Sequence, residues 1–415
     1  MTETLHNWAG NIAYGARTVH TPRSAAEVQD IVRKSGKARA LGSRHSFNRI
    51  ADTDADLIVM RQLNRVINLD KAARRVTVEG GITYGELGPI LEAEGFALHN
   101  LASLPHISVV GAVTTATHGS GEKNRNLAAA VAGLTIVTAS GDTISLWRGD
   151  ADFDGAVVGL GALGVVTEIT LDIQPSFQVR QNIYLDLPFA TLLANFDALV
   201  ASAYSVSFFT RWQGQHVEQV WLKSLADSPV RSGDFFGARA ADRPYHPISS
   251  IDAAPCTEQM GVAGPWHQRL AHFRMEFTPS AGAELQTEYF VARPDALAAL
   301  EALHRIQQKI APHLLISEIR MMAGDDYWMS MNYKQDSVAL HFTWKPDWPS
   351  VSQVLPQIEA ALAPFKPRPH WGKLFTMPAS EVKSRYARLG DFRALAGKHD
   401  PEGKFRNAFV ADYIS

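Results

Sequence analysis

The chain has 415 residues, 46% of them hydrophobic and 20% charged, a composition typical of a globular protein whose length predicts two or three domains. The formal net charge of −2 gives no electrostatic reason to expect nucleic acid or an anionic membrane as a partner. The one cysteine, Cys256, excludes an intrachain disulfide and a cysteine metal cluster.

At the start of the chain, residues 1–6 lack the basic region and apolar core of a signal peptide. The longest weakly polar runs, such as residues 155–166, fall short of the roughly 18 residues that a membrane-spanning helix needs. We therefore expect a cytoplasmic, reduced protein that binds neither membranes nor nucleic acid, and we expect a monomer.

Residues 16–60 are predicted to form a strand, a helix and a second strand. Ser24 and Glu27 have the capping-box spacing that marks a helix start, and apolar residues follow at helical intervals. Residues 57–60 form a short apolar run typical of a buried strand.

A second strand and helix follow. Residues 75–79 alternate as a strand does. Thr83 and Glu86 repeat the capping-box spacing, and we expect the helix that they begin to stop at Gly95.

The stretch 41–48, Leu-Gly-Ser-Arg-His-Ser-Phe-Asn, lies between these elements. Gly42 and Ser43 favour a turn, because glycine tolerates unusual backbone angles and serine can bond its own backbone. A histidine just after such a turn, here His45, can be held close to a ligand. The motif alone also fits a loop histidine without a special role.

Residues 103–121 are rich in small and hydroxyl side chains. Small residues allow backbone N–H groups to converge on an anion, and the pyrophosphate of a flavin would be such an anion. On composition alone, a structural loop of glycine and serine fits equally well.

Residues 159–164, Gly-Leu-Gly-Ala-Leu-Gly, match the spacing of the dinucleotide-binding fingerprint. That fingerprint should open a helix, with an acidic residue about 20 positions later. Here residues 165–171 are predicted to form a strand immediately after the glycines. We therefore predict no Rossmann domain.

Between residues 176 and 370, three strand-like segments each carry a polar pair at positions i and i+2. Such residues project from the same face of a strand. A single pair is more typical of a solvated face, but three pairs together indicate a polar sheet surface for a hydroxyl-rich ligand. The pairs are Gln286 and Glu288, Glu318 and Arg320, and His341 and Thr343.

Three segments in this order resemble the vanillyl-alcohol-oxidase group of flavoproteins: residues 41–48, residues 103–121, and residues 370–373, His-Trp-Gly-Lys. Within that group the sequence is most similar to the alditol (xylitol) oxidases. The similarity runs from Asn7 to Phe409, essentially the whole chain.

The resemblance implies FAD held covalently by His45 through the 8α-methyl group of the isoalloxazine ring. The family often has glycine before that histidine, whereas this chain has Arg44. The residues that the resemblance places against FAD are Leu41, Gly42, Ser43, Arg44, His45, Ser46, Ser103, Ser108, Gly111, Ala112, Val113, Thr114, Thr115, His118, Val166 and His370.

The fold implied by the resemblance is α+β: a two-domain FAD-binding fold of the vanillyl-alcohol-oxidase/PCMH type, with an α+β substrate-binding cap domain built on an antiparallel sheet. We predict the FAD-binding domain at residues 1–175 and the cap at residues 176–375. Residues 376–415 are predicted to return to the FAD-binding domain.

Oxidation of a terminal alcohol removes a hydride from carbon and a proton from oxygen, and no side chain accepts a hydride. The resemblance implies that flavin N5 accepts it and that O2 is then reduced to H2O2. Lys373 and Arg320 match the cationic positions of the family and are predicted to polarise the reacting hydroxyl. The final proton acceptor is Lys373 or His341; we favour Lys373.

Ser103 matches a serine that lies near both flavin and substrate in the family. Glu318 and Thr343 are predicted to bind further hydroxyl groups, because a carboxylate accepts hydrogen bonds and a threonine both donates and accepts. The predicted substrate-binding residues are Ser103, Gln286, Glu318, Arg320, Thr343 and Lys373.

Other functions stay open. An aldonolactone oxidase or dehydrogenase of the same family also carries a motif like residues 370–373. A nicotinamide enzyme, a non-catalytic flavin-binding protein and a metalloenzyme are less consistent with the sequence, and we expect no metal site. The main prediction is an FAD-dependent oxidase of alditols such as xylitol and sorbitol.

Overall fold

The computed structural model describes residues 5–229, 234–277 and 283–415. Most of the N-terminal segment in which we expect no signal peptide, residues 1–4, therefore lies outside the described residues. Within the described ranges, every helix is too short or too polar to reach across a membrane.

Three short parallel strands form the first sheet. They are β1 (Thr18–His20), β2 (Ala38–Leu41) and β3 (Asp56–Val59). Helix α1 (Ala25–Lys34) connects β1 to β2 and buries Val28 and Val32. The central strand is β3, so the apolar run predicted at residues 57–60 is confirmed as a buried strand over most of its length.

The two predicted capping boxes differ. At Thr83 both bonds form: its hydroxyl accepts from the backbone N–H of Glu86, and the Glu86 carboxylate accepts from the N–H of Thr83. At Ser24 only the first bond forms, because the Glu27 carboxylate accepts from the N–H of Arg23 instead. The box predicted at Ser24 is therefore incomplete, although the helix begins where predicted.

A five-stranded antiparallel sheet follows, with the order β4-β5-β9-β7-β8. Its strands are β4 (Val66–Asp70), β5 (Arg75–Glu79), β7 (Val131–Val137), β8 (Thr143–Trp147) and β9 (Val165–Asp172). Beside it, β6 (Phe96–Ala97) pairs with β10 (Gln174–Pro175). The strands predicted at residues 75–79 and 165–171 are confirmed.

Short helices surround these sheets. They are α2 (Tyr84–Ala93), α3 (Val109–Thr114) and α4 (Phe153–Val157). Helix α2 ends just before Gly95, whose φ of +79° is the left-handed conformation that favours glycine after a helix. The predicted end of this helix is therefore confirmed.

The second half of the chain is built on a sheet with nine described strands. They are β11 (Gln178–Pro188), β12 (Ser205–Thr210), β13 (His216–Leu225), β14 (Arg239–Ala240), β15 (Gly264–Pro265), β16 (Leu285–Ala292), β17 (Leu314–Met322), β18 (Ser337–Trp344) and β19 (Arg368–Pro369). The order is β14-β11-β13-β12-β17-β18-β16-β19, all neighbours being antiparallel, and β15 also pairs with β11.

Helices accompany this sheet: α5 (Phe189–Ala194), α6 (Phe196–Val200), α7 (Ala296–Arg305), α8 (Gln307–Ile310) and α9 (Trp348–Leu362). Helices α7 and α9 pack together and bury residues at helical spacing, including Leu300, Leu303, Val351 and Leu355.

The C-terminal segment contains α10 (Ala379–Ser384), α11 (Leu389–His399) and α12 (Ala408–Tyr413). Its Lys404 ammonium donates to the carbonyls of Val32 and Ala139, both at 2.7 Å. The backbone carbonyl of Lys404 accepts from the N–H of Ala38 at 3.0 Å. These bonds join the C-terminal segment to the N-terminal half of the chain. The division of the chain into domains at residues 175 and 375 stays a prediction.

Candidate active site

A cavity with about 1730 Å³ of empty space, counted with the solvent at its mouth, is lined by residues of all three large sheets and their loops. Every predicted site residue except Val113 lines it. Val113 lies in α3 with its side chain fully buried in the core, while its helix neighbours Gly111, Ala112 and Thr114 face the cavity. The predicted contact of Val113 with a cofactor therefore does not involve its side chain.

His45 lies in the loop after β2, with its ring stacked on Trp8 at a centroid distance of 5.4 Å. Its Nδ1 is 2.9 Å from the carbonyl of Ser43, and its Nε2 is buried without a partner among the described residues. Burial lowers the pKa of the imidazole to about 4, in spite of the bond to Ser43. The ring is therefore neutral at pH 7, and one nitrogen is available to a ligand of the cavity.

Arg44, which stands where the family often has glycine, has a φ of +64°. This left-handed conformation is one that glycine adopts without strain, whereas other residues meet a steric penalty. The guanidinium of Arg44 donates to the carbonyl of His6 at 3.2 Å. The backbone at this position thus keeps the conformation for which glycine is suited, although arginine occupies it.

Two glycines make the wall beside α3 suitable for close approach. A Cβ atom on Gly42 would lie 2.3 Å from the hydroxyl oxygen of Ser108, and one on Gly111 would lie 2.6 Å from it. That hydroxyl has no hydrogen-bond partner among the described residues, while the Ser108 N–H donates to the Ser43 hydroxyl at 3.0 Å. Small residues and an unpartnered buried hydroxyl fit a cofactor with a phosphate-bearing chain.

The glycine-rich run at residues 159–164 forms a turn rather than the start of a helix. Leu160 and Gly161 both have positive φ, and the buried guanidinium of Arg39 donates to their carbonyls at 3.0 and 2.8 Å. β9 begins directly after this run, and its Val166 lines the cavity. The prediction that a strand, and not a helix, follows this glycine run is therefore confirmed.

The three predicted polar pairs meet on one face of the nine-stranded sheet. Across β16 and β18, Gln286 is opposite Thr343 and Glu288 is opposite His341. Across β18 and β17, His341 is also opposite Glu318. All six side chains of the pairs are less than 10% exposed, so they line a cavity and do not form a solvated surface.

Glu288 lies at the centre of this polar face, although the sequence analysis gave it no role of its own. Its carboxylate accepts from Arg320 at 3.0 Å and lies 3.1 Å from Nε2 of His118. Burial by itself would raise the pKa of Glu288, but His118 and Arg320 outweigh it and hold the pKa well below its usual value. Its i+2 spacing from Gln286 was the signal that could have identified it.

Arg320 lies close to two carboxylates, since its Nη2 is 3.0 Å from Glu288 and its Nε is 3.5 Å from Glu318. Its Nη1 donates to the hydroxyl of Ser103 at 3.3 Å. The charge of Arg320 is therefore balanced locally, and its N–H groups connect the sheet to the segment that carries Ser103.

Lys373 follows β19 in a turn in which its N–H donates to the carbonyl of His370 at 3.0 Å. Its ammonium donates to the side-chain oxygen of Gln286 and lies 4.7 Å from the ring centroid of Phe47. Burial lowers the pKa of Lys373 to about 8. In the same turn, the carbonyl of Gly372 accepts from Phe47 N–H at 2.7 Å, which ties this turn to the loop of His45.

Two further histidines are neutral. Burial lowers the pKa of His341 to about 3, and its Nε2 lies 3.2 Å from the side-chain oxygen of Gln286. Burial also holds the pKa of His370 well below its usual value, and its Nδ1 accepts from the N–H of Gly372 at 3.0 Å. The site thus combines one amine of lowered pKa, the three neutral imidazoles of His45, His341 and His370, and an arginine whose charge two carboxylates balance.

Two family profiles match the chain. Residues 16–146 match the FAD binding domain, and residues 283–413 match D-arabinono-1,4-lactone oxidase. Most of the residues that line the cavity lie within these two matched ranges.

Curated relatives are similar over the full length. The chain is 48% identical to an alditol oxidase of Streptomyces sp., covering 100% of both chains. It is 29% identical to an L-gulono-1,4-lactone dehydrogenase of Mycobacterium tuberculosis, covering 99% of both. It is 25% identical to an L-gulonolactone oxidase of Mus musculus, covering 98% of this chain and 97% of the relative.

Solved structures with the same fold include cholesterol oxidase from B. sterolicum, with a TM-score of 0.79 and 16% identity. A solvent-stable cholesterol oxidase has a TM-score of 0.80 and 18% identity. Both similarities cover 100% of this chain and 97% of the other. Together with the FAD-binding profile, they confirm the predicted α+β FAD-binding fold.

Proposed function

Because the chain belongs to the alditol oxidase family of the vanillyl-alcohol-oxidase flavoproteins, we propose that it is an FAD-dependent alditol oxidase. The reaction converts the terminal primary alcohol of an alditol such as xylitol or sorbitol to the aldehyde. The alcohol loses two hydrogens and O2 gains them as H2O2, so the equation balances without another reactant. The similarity over the whole chain is the observation that carries this proposal.

The residues of the cavity fit FAD. Gly42, Gly111 and Ser108 leave room for a phosphate-bearing chain, and His45 offers a buried nitrogen to a flavin ring. FAD, when bound, would supply the hydride acceptor at its N5 and pass the electrons of the alcohol on to O2. We propose that His45 holds the flavin covalently, as the family resemblance implies.

Lys373 is the proposed acceptor of the hydroxyl proton. Its pKa of about 8 means that a substantial fraction of the amine is neutral near pH 8, and a general base works best with a pKa near the working pH. His341, with a pKa of about 3, is a much weaker base; its role is to hold the substrate through its ring nitrogens. Arg320 donates hydrogen bonds to the developing alkoxide.

The rest of the polar face holds the polyol. Glu318 accepts from hydroxyl groups, while Thr343, Gln286 and Ser103 can both donate and accept. Neighbouring strands are about 4.8 Å apart, so β16, β18 and β17 together present polar groups over roughly 10 Å. An extended polyol of five or six carbons fits this width better than one substituent on a ring does.

An aldonolactone oxidase or dehydrogenase is the second candidate, because the profile at residues 283–413 and the relatives at 29 and 25% identity carry lactone names. The alditol oxidase relative is much more similar, at 48% identity, and supports the first candidate. Both candidates use the same cofactor, so only a substrate comparison separates them.

The test is an absorption spectrum of the purified protein followed by substrate comparison in air. We expect flavin absorption, and oxygen consumption with equimolar peroxide on addition of xylitol or sorbitol. A colourless protein would contradict the whole proposal. A coloured protein that oxidises L-gulono-1,4-lactone and no alditol would support the second candidate instead.

We further propose that residues 1–175, 176–375 and 376–415 are the FAD-binding domain, the cap and a returning segment. The bonds of Lys404 to Val32 and Ala139 support the last part. A monomeric state and a cytoplasmic location are also proposals; the one cysteine, Cys256, supports a reducing location.

A further inference from the structure

A buried lysine lies behind the polar face, outside the residues used so far. Lys223 of β13 is 1% exposed, and its ammonium donates to the carbonyls of Leu270 and Ala271 at 2.5 and 2.8 Å. Its third neighbour is Nδ1 of His272 at 3.0 Å. A fully buried lysine is costly unless its donors are satisfied, and here all three have partners.

His272 carries this contact to the substrate wall. Its Nε2 lies 2.7 Å from the Glu318 carboxylate. Burial lowers the pKa of Lys223 to about 7. Burial by itself would raise the pKa of Glu318, but Arg320 and His272 outweigh it and hold that pKa below its usual value, so the carboxylate only accepts. The imidazole proton therefore sits on Nε2, which donates to Glu318, and Nδ1 accepts from Lys223. Burial lowers the pKa of His272 to about 4, which agrees with a neutral ring in this tautomer.

The same short segment also fixes Ser103. The backbone N–H groups of His272 and Phe273 both donate to the Ser103 carbonyl, at 3.0 and 3.2 Å. Lys223 holds the same segment by its hydrogen bonds to the carbonyls of the two residues that precede His272. The side chain of Lys223 thus holds the segment that contacts two proposed substrate-binding residues, Ser103 through backbone hydrogen bonds of that segment and Glu318 through the imidazole.

Aromatic packing holds the imidazole in this orientation. The ring of His272 meets Trp221 and Phe209 edge to face, with centroid distances of 5.2 and 5.6 Å. His272 and Phe209 line the cavity, whereas Lys223 does not. Lys223 therefore acts on the substrate through His272 and Glu318.

We propose that Lys223 and His272 are positioning residues that hold Glu318 and Ser103 to bind the hydroxyl groups beyond the reacting one, and so set the preference for polyols over simple alcohols. This inference rests on the proposed alditol oxidase function. A carboxylate is a strong acceptor only when its orientation matches the incoming hydroxyl, and a bond from Nε2 fixes one of its oxygens and leaves the other for the ligand.

The test compares xylitol with pentane-1,2-diol, which has the same chain length without the distal hydroxyls. His272→Phe keeps a ring between Trp221 and Phe209 but removes both bonds, and Lys223→Met removes the hydrogen bonds that hold the segment. We expect kcat/KM for xylitol to fall at least tenfold in each variant, mainly through KM. The loss for the diol should be at least fivefold smaller, because the diol lacks the distal hydroxyl groups that Glu318 and Ser103 would bind.

Two further variants separate positioning from folding. His272→Gln keeps a donor that can reach Glu318 and should recover most of the xylitol preference. Lys309→Met removes the charge of an exposed lysine on α8 and should leave both substrates unaffected. Melting temperatures and flavin content of all variants show whether each one folds.

Equal losses for xylitol and diol, or no loss for either, would overturn the inference. The wild-type protein tests the underlying function separately, because a wild type that oxidises no alditol at all would reject both. A further readout is xylitol protection against thermal unfolding in the absence of oxygen, where each enzyme molecule can react only once because the reduced flavin is not reoxidised. We expect this protection to weaken in His272→Phe and to return in His272→Gln.

Discussion

The guanidinium of Arg320 donates to the carboxylate of Glu288 at 3.0 Å, and both side chains are less than 10% exposed. This pair joins β17 to β16 on the face of the sheet that lines the cavity. Because Glu318 is also close to Arg320, the positive charge of the arginine is already balanced before any substrate arrives. Lys373, whose side-chain hydrogen bond goes to a neutral amide and whose pKa burial lowers to about 8, is the residue that we propose as proton acceptor.

Glu288→Gln should destabilise the protein. Removing one charge of a buried pair leaves the other partly uncompensated, which typically costs about 3–5 kcal/mol. We expect a loss of about 3 kcal/mol in the free energy of unfolding, measured by urea denaturation of the flavin-loaded protein. Glu301→Gln, on an exposed position of α7, is the matched control. A loss below about 1 kcal/mol would show that the pair is not important for stability.

Lys373→Met should nearly abolish turnover while leaving the flavin bound. General base catalysis typically raises the rate by a factor of about 10²–10⁴, so we expect kcat to fall by about 10²-fold or more. Flavin content is measured by absorbance and turnover by peroxide release. Lys345→Met, an exposed change at the end of β18, controls for the loss of a charge. Near-normal turnover in Lys373→Met would exclude this lysine as the proton acceptor.

The pH dependence of kcat/KM should distinguish the two proposed bases. Lys373 is protonated below its pKa of about 8 and cannot accept a proton there. We therefore expect kcat/KM to rise with pH through an apparent pKa near 8. His341, with its pKa near 3, would give a flat profile between pH 5 and 9. A flat profile in steady-state assays over that range would favour His341.

His45→Ala should release the flavin when the protein is denatured, whereas the wild-type chain should stay yellow after acid precipitation. The reason is that only a covalent bond survives unfolding of the cavity. His216→Ala, at an exposed position of β13, should behave like wild type. A wild-type precipitate without colour would argue against covalent attachment through any residue.

Arg44 allows a test of backbone strain. With a φ of +64°, a β-branched residue at this position meets a larger steric penalty than arginine, so Arg44→Val should destabilise the protein by about 1–2 kcal/mol. Arg44→Gly removes the strain but adds freedom to the unfolded chain, and the two effects nearly cancel. Urea denaturation measures both. Equal stability of the valine and glycine variants would contradict the assigned conformation.

Local patterns in the sequence predicted local features of the structure. The Thr83 capping box, the helix end before Gly95 and the strand at residues 75–79 depend on hydrogen bonds and side-chain contacts between near neighbours in the chain. The incomplete box at Ser24 shows the limit, because the N–H of Arg23 competes for the same carboxylate and spacing alone does not show which donor wins.

The i, i+2 pairs predicted that three strands each have a polar face, since alternation is a property of a single strand. They did not reveal that Glu288 would contact His118, or that His272 would reach Glu318. Those contacts join residues that are 170 and 46 positions apart, and only the packing of loops that carry His118 and His272 against the sheet brings them together.

The amino-acid sequence by itself determined the type of several elements, the covalent candidate His45 and the family, because these depend on residue identity and on short-range spacing. Tertiary structure alone decided the balance of charges around Arg320, the lowered pKa of Lys373 and the hydrogen bonds of Lys223 to residues 270–272. The physical reason is that a pKa and an ion pair depend on burial and on neighbours in space. Both arise only when distant strands align and exclude water.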